Sequence, residues 1–112
     1  MAESTTDTPV LDLLASMTAD SVAASSLDAE TLMLVRIAAL AAVDAPPISY
    51  ALNLEAAAAA GIDPERVRGV LAAIAPIVGT ARVASATGNI VKAIALEIEV
   101  AELEDLDDLD PQ

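Results

Sequence analysis

The chain has 112 residues, of which 55% are hydrophobic, and it carries a formal net charge of −13 at pH 7. A chain of this length forms one domain, and its negative charge argues against nucleic acid and anionic membranes as partners, because both require a cationic surface. Cysteine and histidine are absent, which excludes disulfides, thiol redox chemistry and the usual zinc ligands, so we expect neither a metal nor another cofactor.

The apolar stretches are too short and too often interrupted to be membrane spans, which need about 20 mostly apolar residues. They are broken by Arg36, Pro46, Pro47 and Pro76. Residues 1–8 are polar and acidic, which is not the pattern of a secretory signal. We therefore expect a cytoplasmic protein with no membrane partner.

A short helix is predicted in the N-terminal segment, residues 1–26. Thr8 can cap this helix, with Pro9 as its first residue, and apolar residues recur at helical spacing as far as Met17. The stretch 19–26 is rich in Ser and Ala and is predicted to be a connector.

Two of the following helices begin with the same pattern, an aspartate preceded by an apolar residue. Asp28 is predicted to cap a buried helix over about residues 29–43. Asp63 is predicted to cap a helix that begins at Pro64 and is finished by Gly79.

The third predicted helix lies between the helices capped by Asp28 and Asp63, which are the second and the fourth. A fifth predicted helix follows the fourth. Pro47 can only begin a helix, and Gly61 suits the left-handed position at which a helix ends. Thr80 can cap the fifth helix, and Gly88 is its weak point, where it could divide in two. No stretch alternates apolar and polar residues long enough for a sheet, so the predicted fold is all-α, a compact bundle of five or six helices.

Residues 103–112 are predicted to form an acidic tail after a helical domain over residues 27–102. Eight of the 18 acidic residues lie between Glu97 and Asp110, and such dense like charge resists folding on its own. Two interpretations stay open. The tail is either a solvated segment that aids solubility or a leucine-acid segment that docks into a basic-rimmed groove of a protein partner.

Four segments carry a resemblance to a known family: residues 27–40, the helix over 46–61, Asp-Pro-Glu at 63–65 and Ala-Pro-Ile-Val-Gly-Thr-Ala-Arg at 75–82. They resemble the carboxymuconolactone decarboxylase family, which also contains the alkylhydroperoxidases of the D type. The resemblance covers residues 27–96. It implies an all-α fold that assembles as a homo-oligomer, either a trimer or a hexamer.

The thiol peroxidases of this family carry a Cys-x-x-Cys pair followed four residues later by a histidine, at the start of the helix that ends in Ala-Gly. Counted back from Gly61, the two cysteines fall on Pro46 and Ser49, and the histidine falls on Asn53. A dithiol peroxidase needs a thiolate nucleophile and a second thiol to resolve it. Thiol peroxidase activity is therefore excluded.

The decarboxylase branch of the family does not use a cysteine pair and acts on a small lactone dicarboxylate. In that respect this chain resembles it more closely. Asn53 cannot act as a general base near neutral pH, but its amide can hydrogen-bond a substrate carbonyl or an enolate oxygen. The resemblance therefore implies family membership more strongly than either family activity.

Tyr50, Ser49 and Asn53 lie in the first turns of the third predicted helix, where spacings of three and four residues bring side chains together. In one interpretation they line a pocket at a helix N-terminus, which favours an anion. Tyr50 and Asn53 are then the candidate catalytic residues, and Ser49 contributes to substrate binding. In the other interpretation Ser49 is a local backbone acceptor, Tyr50 packs at a subunit interface and Asn53 lies at the surface.

Arg36 and Arg82 are the candidate ligands of a substrate carboxylate, which a guanidinium group can hold through two hydrogen bonds. Arg36 lies on an otherwise apolar helix and must find an acid, carbonyl groups or solvent. The alternative role for both residues is an ion pair between helices or between subunits, for instance with Glu30, Asp44 or Glu55.

Two functional hypotheses follow. In the first, the protein is a cysteine-independent small-molecule lyase or binding protein that orients an organic acid with Tyr50, Asn53 and one of the arginines. In the second, it is a non-catalytic oligomeric scaffold that has lost the family's active site and uses the acidic tail to contact a protein partner.

Overall fold

The structure, a computed structural model, describes residues 8–109, with side chains described for residues 8–96 and for Leu103. It contains five helices: α1 (Pro9–Ala24), α2 (Ala29–Ala42), α3 (Pro47–Ala59), α4 (Pro64–Val78) and α5 (Thr80–Leu109). No strand occurs between residues 8 and 109. The prediction of an all-α bundle is confirmed.

Helices α2 to α5 form a four-helix body with two adjoining groups of buried side chains. α3 packs against α2 and α5, and α4 packs against α2 and α5. The first group lies between α3, α5 and the end of α2, and its members are Ala41, Ala45, Tyr50, Ala51, Ala86, Ile90 and Ala93. The second group lies between α2 and the end of α3, and its members are Leu32, Met33, Ile37, Ala57 and Ile62.

Helix α1 packs only lightly on this body. Its large apolar side chains are between 49% and 66% exposed: Val10, Leu11, Leu13, Leu14, Met17 and Val22. Apolar side chains of this size are usually covered in a soluble domain when they form one continuous patch. None of the helices within residues 8–109 is long and apolar enough to cross a membrane.

The two aspartate caps predicted from the sequence are present. The Asp28 carboxylate accepts a hydrogen bond from the Thr31 amide at 2.7 Å, and the Asp63 carboxylate accepts one from the Arg66 amide at 3.0 Å. Each bond satisfies one of the amides that the first turn of a helix leaves without a partner.

Substitution of Asp28 provides a test of this cap. The Thr31 amide, hydrogen-bonded to the carboxylate, and then the Thr31 side chain hold the pKa of Asp28 below its ordinary value, and the charge of Arg66 adds to the effect. A lowered folded-state pKa stabilises the fold above the unfolded-state pKa, and this contribution is lost as the pH falls through the folded-state value.

We therefore expect Asp28→Ala to lower the Tm at pH 7 by roughly 3–8 °C, and Asp28→Asn, which keeps a capping oxygen, to lower it less. The difference between wild type and Asp28→Ala should shrink as the pH falls below about 4. Circular dichroism melts at several pH values measure both effects. An Asp28→Ala variant that melts like the wild type at pH 7 would contradict the cap.

Helices α2 and α3 end in the same hydrogen-bond pattern, in which two amides beyond the helix return to its last carbonyls. At the end of α3, Gly61 has φ of 89°, as predicted, and the Ile62 amide donates to the Ala57 carbonyl at 3.0 Å. At the end of α2 the equivalent position is Asp44, with φ of 58°. Aspartate is one of the few residues other than glycine that tolerates this conformation, and no glycine marks this helix end in the sequence.

Two helices are longer than predicted. α1 continues to Ala24, so the predicted connector over 19–26 is mostly helix. α5 is continuous from Thr80 to Leu109 and does not divide at Gly88. The adjacent Asn89 donates from Nδ2 to the Ala45 carbonyl at 3.2 Å, which ties this part of α5 to the α2–α3 connection.

The backbone of α5 reaches Leu109 and thus enters the predicted acidic tail, residues 103–112. Of the tail's side chains only that of Leu103 is described, and it is exposed. Residues 110–112, and the predicted mobile residues 1–7, lie outside the described part of the chain. The separate role of the tail stays a prediction.

Candidate functional site

An open cleft of about 550 Å³ lies between α1, α2 and α3. Its walls are apolar, with a few polar groups: Leu14, Met17, Thr18 and Ser21 from α1, Arg36, Ala39 and Leu40 from α2, and Leu52, Asn53 and Ala56 from α3. A concave, mostly apolar surface with a few polar groups is the usual form of a small-molecule site. The cleft is therefore the candidate functional site.

Arg36 is the only cation among the residues that line the cleft. It is partly buried, and its Nη2 donates to the Ser21 hydroxyl at 3.0 Å. The ion pairs found among the described side chains are Arg66 with Glu30, at 2.7 Å, and Arg68 with Glu65, at 3.1 Å. Within that part of the chain Arg36 has a hydroxyl as its partner and no carboxylate.

Asn53 lines the same cleft from α3, and it is partly buried. Its Nδ2 donates to the backbone carbonyl of Ser49 at 2.8 Å, one helical turn back. This bond fixes the orientation of the amide, and the amide has a second N–H and an oxygen left for other partners. The contribution of Ser49 is this carbonyl; its side chain is not part of the cleft lining.

Tyr50 does not reach the cleft. Its side chain is fully buried between α3, α5 and the end of α2, and its hydroxyl has no hydrogen-bond partner. Burial, and then the negative charge of Asp44, raise the pKa of Tyr50 above its ordinary value. The phenol therefore stays protonated at neutral pH, and its catalytic role, which would require access from the cleft, stays a prediction.

Arg82 lies outside the cleft lining, where the start of α5 meets the end of α2. Its Nη1 donates to the Ala42 carbonyl at 2.9 Å. One turn further along α5, the Ser85 hydroxyl donates to the Asp44 carboxylate at 2.6 Å. A guanidinium group at the carbonyl end of a helix is favourable both as a donor and as a charge. This geometry gives Arg82 a structural role in holding α5 against α2.

The structure therefore brings two of the five predicted site residues, Arg36 and Asn53, into one cleft and leaves Tyr50, Ser49 and Arg82 outside its lining. The sequence does not indicate the wall that α1 contributes. The apolar spacing up to Met17 predicts one face of a helix, but Ser21 lies in the stretch 19–26 that is predicted to be a connector. No periodicity in α1 indicates that this face lies opposite Arg36.

The chemistry available in the cleft is binding rather than proton transfer. Its lining contains one guanidinium group, one amide and two hydroxyls, those of Thr18 and Ser21. None of these groups has an ordinary pKa near neutrality, so the cleft provides no general base. It can hold an anion and orient a neighbouring carbonyl.

A second, smaller cavity of about 210 Å³ lies between α3, α5 and the start of α4. Apart from the capping residue Asp63 its lining is apolar: Leu54, Ala57, Ala58, Ile62, Pro64, Val67, Ile90 and Ile94. The carboxylate of Asp63 already caps α4, and the other lining residues have apolar side chains, so this cavity is not the candidate site.

A family model described as the Carboxymuconolactone decarboxylase family matches residues 8–90. The matched range includes the whole of α1 and every residue that lines the cleft. Comparisons with curated proteins and with solved structures found no match. The family resemblance inferred from the sequence is confirmed, because the model matches well over half of the chain: the protein belongs to the carboxymuconolactone decarboxylase family, and does so without a cysteine or a histidine.

Proposed function

We propose that this protein binds an organic acid in the cleft between α1, α2 and α3, with Arg36 on the carboxylate and Asn53 on a second polar group. The observation that carries the proposal is that the Arg36 guanidinium faces a mostly apolar cleft with a serine hydroxyl, rather than a carboxylate, as its partner. A partly desolvated cation of this kind gains most from an anionic ligand.

Binding would exchange one hydrogen bond for stronger ones. The guanidinium group has five donors in a planar fork, and the Ser21 hydroxyl takes one of them at 3.0 Å. A ligand carboxylate would accept two parallel hydrogen bonds from the same group. Asn53 is already oriented by its bond to the Ser49 carbonyl, so its remaining N–H can reach a carbonyl or hydroxyl of the ligand without losing that contact.

Lyase chemistry in this cleft is a narrower version of the same proposal. When a carboxylate leaves as CO₂ from the carbon next to a carbonyl, the electron pair of the broken C–C bond is delocalised onto the carbonyl oxygen as an enolate. Arg36 and Asn53 could stabilise the negative charge on that oxygen. The proton that completes such a reaction would come from solvent, because the cleft lining contains no histidine, aspartate, glutamate or lysine. Binding is therefore the primary proposal.

The test is the affinity of Arg36→Gln for a panel of organic acids, measured by isothermal titration calorimetry. We expect affinity to fall at least tenfold, because the charge-assisted bonds are lost. Arg68→Gln removes the same charge from an exposed pair with Glu65 and is the matched control, which should bind like the wild type. Asn53→Ala should weaken binding by roughly threefold to tenfold. Equal affinities for Arg36→Gln and the wild type would contradict the proposal.

A scaffold role is the second candidate, and one observation favours it. The large apolar side chains of α1 are between 49% and 66% exposed. Burial between subunits would remove this apolar surface from water.

A homo-oligomer, a trimer or a hexamer, is the assembly that would bury this surface. Light scattering coupled to size exclusion measures it directly, and a monomer at micromolar concentration would contradict the scaffold role. The docking function of the acidic tail is tested separately by deleting residues 103–112. Retention of every protein partner by the shortened chain would contradict it.

A further inference from the structure

We infer that the ligand of the cleft is an amphipathic monocarboxylate, an acid with one carboxylate and a continuous apolar chain, which rests on the binding role proposed above. The inference narrows the ligand from any organic acid to one chemical class. It comes from the number of charges in the cleft, the distribution of its apolar side chains and the light packing of α1.

The number of carboxylates follows from the number of cations. Arg36 is the single charged residue of the lining, and no acidic side chain lies beside it there. A second carboxylate held inside the cleft would lie against apolar walls without a counter-ion, and desolvating an unpaired charge is unfavourable. A small dicarboxylate therefore fits this cleft poorly.

The apolar part of the ligand follows from the rest of the lining. Six of the ten lining residues are apolar, and they come from all three helices: Leu14, Met17, Ala39, Leu40, Leu52 and Ala56. Together these side chains form the apolar part of the cleft wall, here called the trough. Met17 is unbranched and adapts to irregular shapes, and it is 56% exposed, so a bound alkyl chain would remove part of its surface from water.

The light packing of α1 predicts that ligand binding will stabilise this helix in particular. α1 supplies four of the lining residues but makes few contacts with the four-helix body. An apolar chain in the trough would touch α1 on one side and α2 and α3 on the other. It would thus supply contacts that the protein alone lacks. When the ligand is bound, α1 should therefore separate from the four-helix body less often.

The experiment uses the full chain and four probes below their critical micelle concentrations: hexanoate, decanoate, decanol and decanedioate. Decanoate should bind most tightly, and the other three should each bind at least tenfold more weakly. Hexanoate has a shorter chain, decanol has no carboxylate, and decanedioate carries a second charge at its far end. In Arg36→Gln, decanoate should lose its advantage over decanol. Hydrogen exchange with decanoate bound should slow in α1 more than in α4.

A pair of α1 variants separates the trough from the rest of that helix. Met17→Glu places a negative charge in the trough and should weaken decanoate binding at least tenfold. Leu13→Glu makes the same kind of change at an exposed position, 59% accessible, that does not line the cleft, and it should bind like the wild type. Because both positions are exposed, neither change should unfold the four-helix body, and circular dichroism checks this.

The outcomes distinguish the two proposals. Arg36-dependent binding in which decanedioate or hexanoate equals decanoate would overturn the monocarboxylate inference and leave the organic-acid role standing. Absence of Arg36-dependent binding of any acid would overturn both. If Met17→Glu dissociates an oligomer and leaves acid binding unchanged, a second copy of the chain occupies the trough, and the monocarboxylate inference is again overturned.

Discussion

Replacement of Tyr50 by alanine is expected to lower the free energy of unfolding by about 3–5 kcal/mol, while replacement by phenylalanine is expected to leave it unchanged or to raise it. Tyr50 is one of the two largest fully buried side chains of the described residues. Alanine would leave a cavity between α3 and α5, where the neighbours are themselves mostly alanine and cannot fill the space.

The opposite expectation for phenylalanine comes from the hydroxyl. It is buried and has no hydrogen-bond partner, so the folded protein bears the desolvation of that group without gaining a bond. Phenylalanine keeps the ring and removes the group. An increase of up to about 1 kcal/mol in the free energy of unfolding is expected.

Urea unfolding followed by circular dichroism measures both variants, at one protein concentration because association would also shift the transition. The pair also tests the predicted catalytic role of Tyr50. A catalytic hydroxyl requires that Tyr50→Phe fold normally and lose turnover, whereas a core residue requires unchanged ligand affinity. A Tyr50→Phe variant destabilised by several kcal/mol would show that the hydroxyl has a partner and would contradict the core assignment.

The second large effect is expected at Gly79, where Ala should lower the free energy of unfolding by about 1–3 kcal/mol. Gly79 is the only residue between α4 and α5, and it has φ of 92° and ψ of 163°. This region of backbone space is adopted essentially by glycine alone. No neighbouring atom lies within 4 Å of the Cβ that alanine would add, so the cost is backbone strain and not collision.

Gly88 provides the matched control, because the same substitution there should change the free energy of unfolding in the opposite direction. It lies within α5 and also has no atom within 4 Å of an added Cβ. Gly88→Ala should raise the free energy of unfolding by about 0.5–1 kcal/mol, since alanine restricts the unfolded chain and favours the helix. Chemical denaturation of both variants measures the difference, and two changes of the same sign would contradict this account of the α4–α5 junction.

Local features of the fold could be predicted because they depend on neighbours in the sequence. The caps at Asp28 and Asp63 and the helix end at Gly61 each involve groups within five residues of one another, so the residue types are sufficient to identify them. The absence of thiol chemistry is equally certain, because it requires only that cysteine be missing.

Other features could not be predicted because their partners are distant in the sequence. The continuity of α5 past Gly88 is supported by the bond from Asn89 to the carbonyl of Ala45, 44 residues away. Arg82 was predicted to hold either a substrate or an acid, and it holds the end of α2 through the Ala42 carbonyl. Residue type identifies a donor, but not which acceptor the packed helices bring to it.

The same contrast between local and long-range features applies to the candidate site. Tyr50 and Asn53 are three residues apart, about 60° around a helix, and helical spacing alone treats them as neighbours on one face. In the structure the first is buried against α5 and the second lines the cleft beside α1. The sequence by itself determined that this chain is helical, acidic and free of cysteine, since composition and the signals at helix ends suffice for that, and its motif segments indicated the family. Only the tertiary structure decided that Arg36 and Asn53 share a cleft, because the direction a helix face points depends on which helices pack around it.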